Sequence, residues 1–181
     1  FLPQAERRRV IRETETISAR TGDPIHPKVI DFQRDISAWK AQVDILGDES
    51  IASAVLDRPS LVDRVSEETI ERVFQILDSL YASVELLGGK VLDDGAVAIH
   101  DQVVSLRFTE SRARVPVDTT VHDEVALNTK KKWNMQYTGK LTLSVGYLYS
   151  IRDRKKSRIE DRLGDALELL YLTAFQLSQN R

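Results

Sequence analysis

Few residues in this chain are of types that do chemistry. Asp93-Asp94-Gly95 offers two carboxylates to a cation. His100-Asp101 offers a base and a group to orient it. His122-Asp123-Glu124 offers three ligands for a divalent cation, and His26 completes the histidines. Each has a plainer reading. Asp-Gly between two short strands is a strong hairpin signal. Adjacent residues at a strand end point apart, so His100-Asp101 reads as a turn. Three ligands on one loop, with no second cluster nearby, make a poor metal site. His26 precedes Pro27 at a helix start and reads as a cap or a buried ring. The chain has no cysteine. Disulfides, thiolate catalysis and cysteine-based metal sites are therefore excluded, and a reducing, cytoplasmic setting is expected.

A magnesium nuclease of the restriction type needs an acid in one strand, then an acid, a spacer and a lysine in the next. Here Glu110 is followed by Arg112, and Lys140 has no acid two residues before it. The pattern fails. A phosphate-cradling glycine loop, a dinucleotide fingerprint, a nucleophile elbow and a His-Glu-x-x-His motif are all absent. No catalytic residue and no cofactor is expected.

Charge is more informative. The formal net charge is −2, yet Asp44 to Asp94 is mostly acidic and the part after Gln102 mostly basic, with Arg107, Arg112, Arg114 and Lys140 among the cations. The candidate contacts for nucleic acid or another anion are Arg7, Arg8, Arg9 and Arg12, then Lys130, Lys131 and Lys132, then Arg152, Arg154, Lys155, Lys156 and Arg158. Such asymmetry suits an anionic partner, or an acidic face meeting a basic one in an oligomer; a mixed solvated surface is an equal alternative.

These residues need elements to place them. At 181 residues the chain is long enough for one domain with a real core. No apolar run is as long as a membrane span. Residues 1–24 read as a basic arm or linker, a short helix or extended, and 25–181 as an α+β domain. The chain opens at Phe1 rather than Met, so an upstream piece is expected. A helix is predicted from about Pro27 to Leu46, where Val29, Phe32, Ile36, Trp39, Val43 and Leu46 form a narrow seam. Gly47 ends it. Glu49 to Leu56 is a short helix or turn. Ser66 to Leu87 is the central helix, with Ser66 as cap, Glu67 and Glu68 favoured by the macrodipole, and one continuous apolar face.

A four-stranded antiparallel meander follows. Its longest strand alternates Val104, Leu106 and Phe108 with Val103, Ser105 and Arg107 and reaches Val115. Val117 to Trp133 reads as a long surface loop, and Gly139 introduces the next strand. A long C-terminal helix from about Lys155 to Asn180 packs on one face of the sheet. It is apolar on several sides, so burial against more than one neighbour is expected. Its basic start opposes the helix dipole, a mild hint that those charges serve a partner.

The order of motifs resembles a known set of proteins. His26-Pro27-x-Val29 opens the domain. Val65-Ser66-Glu67-Glu68-Thr69-Ile70 leads into Arg72 to Leu80, then come Tyr137-Thr138-Gly139-Lys140-Leu141-Thr142-Leu143 and Ile159-Glu160-Asp161-Arg162-Leu163. From Ile25 onward the chain is similar to the C-terminal part of a family of uncharacterised bacterial proteins that begin with a helix-turn-helix module. The resemblance implies a DNA-associated, regulatory protein, this part binding a partner or effector and forming oligomers. Double-stranded DNA, a second copy or a protein partner is expected, and no membrane. A non-enzymatic interaction subunit of a defence or mobile-element complex is the second reading. A metal-dependent nuclease with an unrecognised site is the third.

Overall fold

The computed structural model describes residues 3–61, 64–116 and 133–180. Its centre is helix α4, Glu67–Leu86, in which Ile70, Val73, Phe74, Leu77, Leu80, Tyr81 and Val84 are buried, as the apolar face predicts. Ile76, off that face, is buried as well. Three helices precede it: α1 (Gln4–Thr16), α2 (Pro27–Leu46) and α3 (Glu49–Val55). The last helix, α5, runs from Leu163 to Gln179.

Local chemistry sets the helix ends. His26 caps α2, its Nδ1 accepting from the Lys28 N–H at 3.2 Å, and Pro27 takes the first position. Gly47 closes α2 in the left-handed region at φ 68°. Asp48 caps α3 by accepting from Ser50 and Ile51. Ser66 stands at the start of α4, but its hydroxyl donates to Thr69 Oγ1 rather than capping the backbone. Asp78, buried in the middle of α4, accepts from the backbone N–H groups of Ile25 and His26 and from Arg20. It ties the start of α2 to the central helix.

The expected four-stranded meander is instead six strands in two antiparallel sheets of three. The first holds β1 (Lys90–Val91), β2 (Val97–Ile99) and β3 (Gln102–Val104). The second holds β4 (Leu106–Pro116), β5 (Trp133–Val145) and β6 (Tyr149–Arg152). The predicted single strand from Val103 to Val115 breaks at Ser105. Its carbonyl leaves the ladder to accept from Gly146 N–H at 2.8 Å, and the chain changes sheets there. Asp93-Asp94-Gly95 forms the turn between β1 and β2, and His100-Asp101 the turn between β2 and β3.

The C-terminal helix starts later than its composition suggests. Arg152 to Arg158 is the end of β6 and a tight turn closed by Arg154 and Ser157. A 3-10 turn, Ile159–Arg162, precedes α5. The first turns therefore carry Glu160, Asp161 and Asp165, as the dipole favours, and the supposed misplacement of cations disappears.

α5 is buried on several sides because α1 covers one of them. Val10 of α1 is buried, Ser83 Oγ of α4 donates to Glu13 at 2.7 Å, and Arg9 donates to the Leu86 carbonyl at 3.3 Å. A Cβ on Gly164 would sit 2.4 Å from the Thr14 carbonyl oxygen, so the two helices meet there without room for a methyl group. Gly164→Ala is expected to cost about 1–3 kcal/mol and to loosen α1. Limited proteolysis should then cut within 4–20 faster than in the parent, with α5 still protected.

Candidate nucleic-acid interface

One ion-pair network anchors the second sheet to α4. Arg72 Nε and Nη2 donate to the Glu160 carboxylate at 2.5 and 2.7 Å. Its Nη1 and Nη2 donate to Asp153 at 2.9 and 3.1 Å, and Nη1 also donates to the Gly139 carbonyl at 2.9 Å. The three charged side chains are 17%, 15% and 7% exposed, Arg72 first and Asp153 last. Hydrogen bonding to Glu160, then to Asp153, holds the Arg72 guanidinium well above its ordinary range against the opposing effect of burial. Burial alone would raise Asp153. The Arg72 pair and the N–H groups of Leu141 and Ile159 outweigh it and hold the carboxyl below its usual value.

Glu110 makes a second anchor beside the first. Its oxygens accept from Ser66 N–H at 2.8 Å and from Gly139 N–H at 2.6 Å. Burial again pushes the pKa up, and these hydrogen bonds pull it below normal. Gly139 sits at φ 75°, in the left-handed region that favours glycine. Its N–H serves Glu110 while its carbonyl serves Arg72. At this point the β4–β5 register shifts, between Glu110 and Arg112.

Beyond the bulge β4 and β5 leave the body of the protein. The last β5–β6 pair is Thr142 with Arg152, whereas β4 and β5 stay paired out to Pro116 and Trp133. Every residue from Ser111 to Pro116 is exposed, as are Trp133 to Gln136 and Thr138 to Lys140. This is a two-stranded ribbon about 20 Å long at 3.4 Å per residue. Composition gives no alternation here because neither face is buried, so β5 begins six residues before the expected start at Gly139. Of the loop expected over Val117 to Trp133, Trp133 is strand; the rest lies outside the described residues. So do Lys130, Lys131 and Lys132, and His122-Asp123-Glu124.

The candidate cations fall into separate groups. Arg7, Arg8, Arg9 and Arg12 lie on α1, exposed, with Arg9 held by the Leu86 carbonyl at the far end of α4. Arg152, Arg154, Lys155, Lys156 and Arg158 are exposed on and beside the turn at the ribbon's base. Arg72 and Leu86 are fourteen residues apart on one helix, about 21 Å, so Arg9 lies away from the turn, whereas Arg12 is two residues from Thr14, which meets Gly164. Arg112, Arg114 and Lys140 of the ribbon, outside the original candidate set, stand with the turn. From β4 to the 3-10 turn the described acids are Glu110, Asp153, Glu160 and Asp161. Each accepts hydrogen bonds from the protein itself, Asp161 from Arg158 N–H. These four acids hold the fold, while Glu67, Glu68 and Glu71 at the start of α4 are exposed at the same end.

A cavity of about 800 Å³ lies on another side. Phe32, Ile36, Leu77, Tyr81, Leu106 and Phe108 line it, and Asp35, Asp57, Arg58, Asp93 and Asp94 stand around it. Tyr81 donates to the Gly95 carbonyl at 2.8 Å. Burial, with the Asp94 charge second, holds its hydroxyl far above the ordinary phenol range.

Arg72→Ala would strand two carboxylates and should cost about 3–5 kcal/mol in urea unfolding, with Arg72→Lys recovering only part, because a lysine cannot fork to two acids. The carboxyls of Asp153 and Glu110 titrate below their ordinary values of 3.8 and 4.5. Their stabilisation is therefore complete above those values and lost as pH falls through the lower folded-state values. The urea midpoint of the parent should hold to about pH 5 and drop below 4.5. In Arg72→Ala the drop should be shallower, because burial then raises the Asp153 carboxyl and protonation relieves the stranded charge.

No family model, no curated protein and no solved structure matches this chain.

Proposed function

We propose that this chain is part of a DNA-associated bacterial regulatory protein, serving as its partner- or effector-binding and oligomerisation domain. One observation carries the reading. At the ribbon end Glu110, Asp153 and Glu160 bond Arg72 and the backbone, and Arg114, Lys140, Arg152, Arg154, Lys155 and Lys156 are exposed with no ion pair among the described residues. A surface of exposed cations around a projecting strand pair suits a phosphate backbone. The cavity beside Tyr81 falls in the size range of small-molecule sites and is where an effector would lodge. Among the described residues no helix is long and apolar enough to cross a membrane.

A second reading is a non-enzymatic interaction subunit of a larger complex. It draws on Ile45, Ile51 and Val55, apolar residues on α2 and α3 that are 76%, 53% and 66% exposed. Light scattering on the purified chain tests it, since a monomer that binds no protein partner would count against it.

Fluorescence anisotropy of a labelled generic duplex, titrated at low and at physiological salt, tests the first reading. Binding should weaken steeply with salt, about tenfold or more between 50 and 200 mM for several phosphate contacts. Replacing Lys155 and Lys156 together by Ala should lower the salt slope by about two. Replacing Arg7 and Arg8, at the other end of α4, should change it little. Absence of binding at low salt would overturn the reading for this domain.

A further inference from the structure

We propose that the cavity among α2, α4 and β4 takes a small organic cation, an amine carried on an apolar body. This rests on the effector-binding reading above and names the class of ligand. The floor and the rim of the cavity differ in chemistry. Ile36 of α2, Leu77 and Tyr81 of α4 and Phe108 of β4 are buried and form the floor. Phe32 packs on the turn between β1 and β2, where a Cβ on Gly95 would sit 2.8 Å from its Cζ. Tyr81 offers its ring, since its hydroxyl already donates to the Gly95 carbonyl. An aromatic or aliphatic group entering here finds rings and branched chains to lie against.

The rim is acidic. Asp35, Asp57, Asp93 and Asp94 stand around it, all of them exposed. Asp93 is held by Lys28, and Asp35 has Arg34 at 3.8 Å. Asp94 accepts from Ala96 N–H at 3.0 Å, and neither it nor Asp57 forms an ion pair among the described residues. Arg58, the cation of the lining, donates to Glu49 at 2.9 Å and stands 5.2 Å from the Trp39 ring centroid. Acids therefore outnumber cations at the mouth. An organic cation is drawn to the carboxylates and to the ring faces, and its apolar body is buried below them. An anionic ligand would meet like charge. A bare metal ion fits less well, because among the described residues no three His, Asp or Glu side chains converge to hold one. A volume of about 800 Å³ suits an organic molecule.

The test uses three probes with one phenylpropyl body and different heads: the primary amine, the alcohol and the carboxylate. Binding to the whole chain is read by ligand-observed NMR at low and at physiological salt. The amine should bind with a Kd of about 1 mM or tighter. It should bind about fivefold tighter than the alcohol, with the carboxylate weakest. Salt should weaken the amine and leave the alcohol unchanged. Asp57→Asn together with Asp94→Asn should erase the preference for the amine and keep the affinity for the alcohol. The change at 94 retains an acceptor for Ala96 N–H, and should the pair fail to fold, Asp57→Asn alone should remove part of the preference. Equal binding of amine and alcohol, or a preference for the carboxylate, would overturn this inference and leave an effector site standing. A preference for the amine unchanged in the variants would overturn it too, since the amine would then sit elsewhere. No binding of any probe would remove the effector-binding reading and this inference with it.

Discussion

Arg72 is the side chain on which the placement of the second sheet depends. It joins α4 to the β5 carbonyl at Gly139, to the residue after β6, and to the 3-10 turn before α5. Two buried carboxylates facing one guanidinium are costly to desolvate, and the arrangement holds because the remaining oxygens are also used. Asp153 accepts from Leu141 and Ile159 as well as Arg72. Glu110 does a similar task one strand over, fixing the start of α4 to Gly139. With those contacts in place, the direction in which β4 and β5 leave the body is set.

The sequence resemblance takes on a physical meaning from this geometry. Its motif segments include Arg72 with the start of α4, Tyr137 to Leu143, and Ile159 to Leu163. Arg72, Gly139 and Glu160 come from those three segments, and Arg72 bonds both of the others. A similarity carried by these residues therefore speaks to an architecture, in which a helix, a strand and a turn are pinned together. It says less about what the projecting surface contacts, since these groups bond one another within the fold.

How much could be read beforehand followed burial. The face of α4, the extent of α2 and the Asp-Gly and His-Asp turns were legible because periodicity and turn chemistry are local. The split of one apparent strand at Ser105 was not, since it depends on a carbonyl reaching Gly146 forty-one residues on. The helical start at Lys155 failed for a similar reason. Asp153 reaches back to Leu141 and forward to Ile159, making a turn where charge pattern alone suggested helix. That α1 meets α5 at Gly164 was not legible either, because Thr14 lies 150 residues away in the chain. The ribbon was missed because a strand exposed on both faces lacks the alternation by which strands are recognised.

That same exposure gives the ribbon its significance. Residues in the body are chosen by packing, so Phe108 or Leu143 needs no explanation beyond the core. On the ribbon burial is partial, and strand propensity would be met by threonine as well as by tryptophan. A projecting strand pair with exposed apolar side chains also risks pairing with other chains. Met135, 58% exposed, carries that risk most openly, while Trp133 is 52% and Val115 37% exposed. Arg114, on the same face as Met135, disfavours association with a like-charged copy. On the proposed reading, a polyanion with flat apolar surfaces inside it, such as a nucleic acid, would account for the exposed apolar side chains and the cations together.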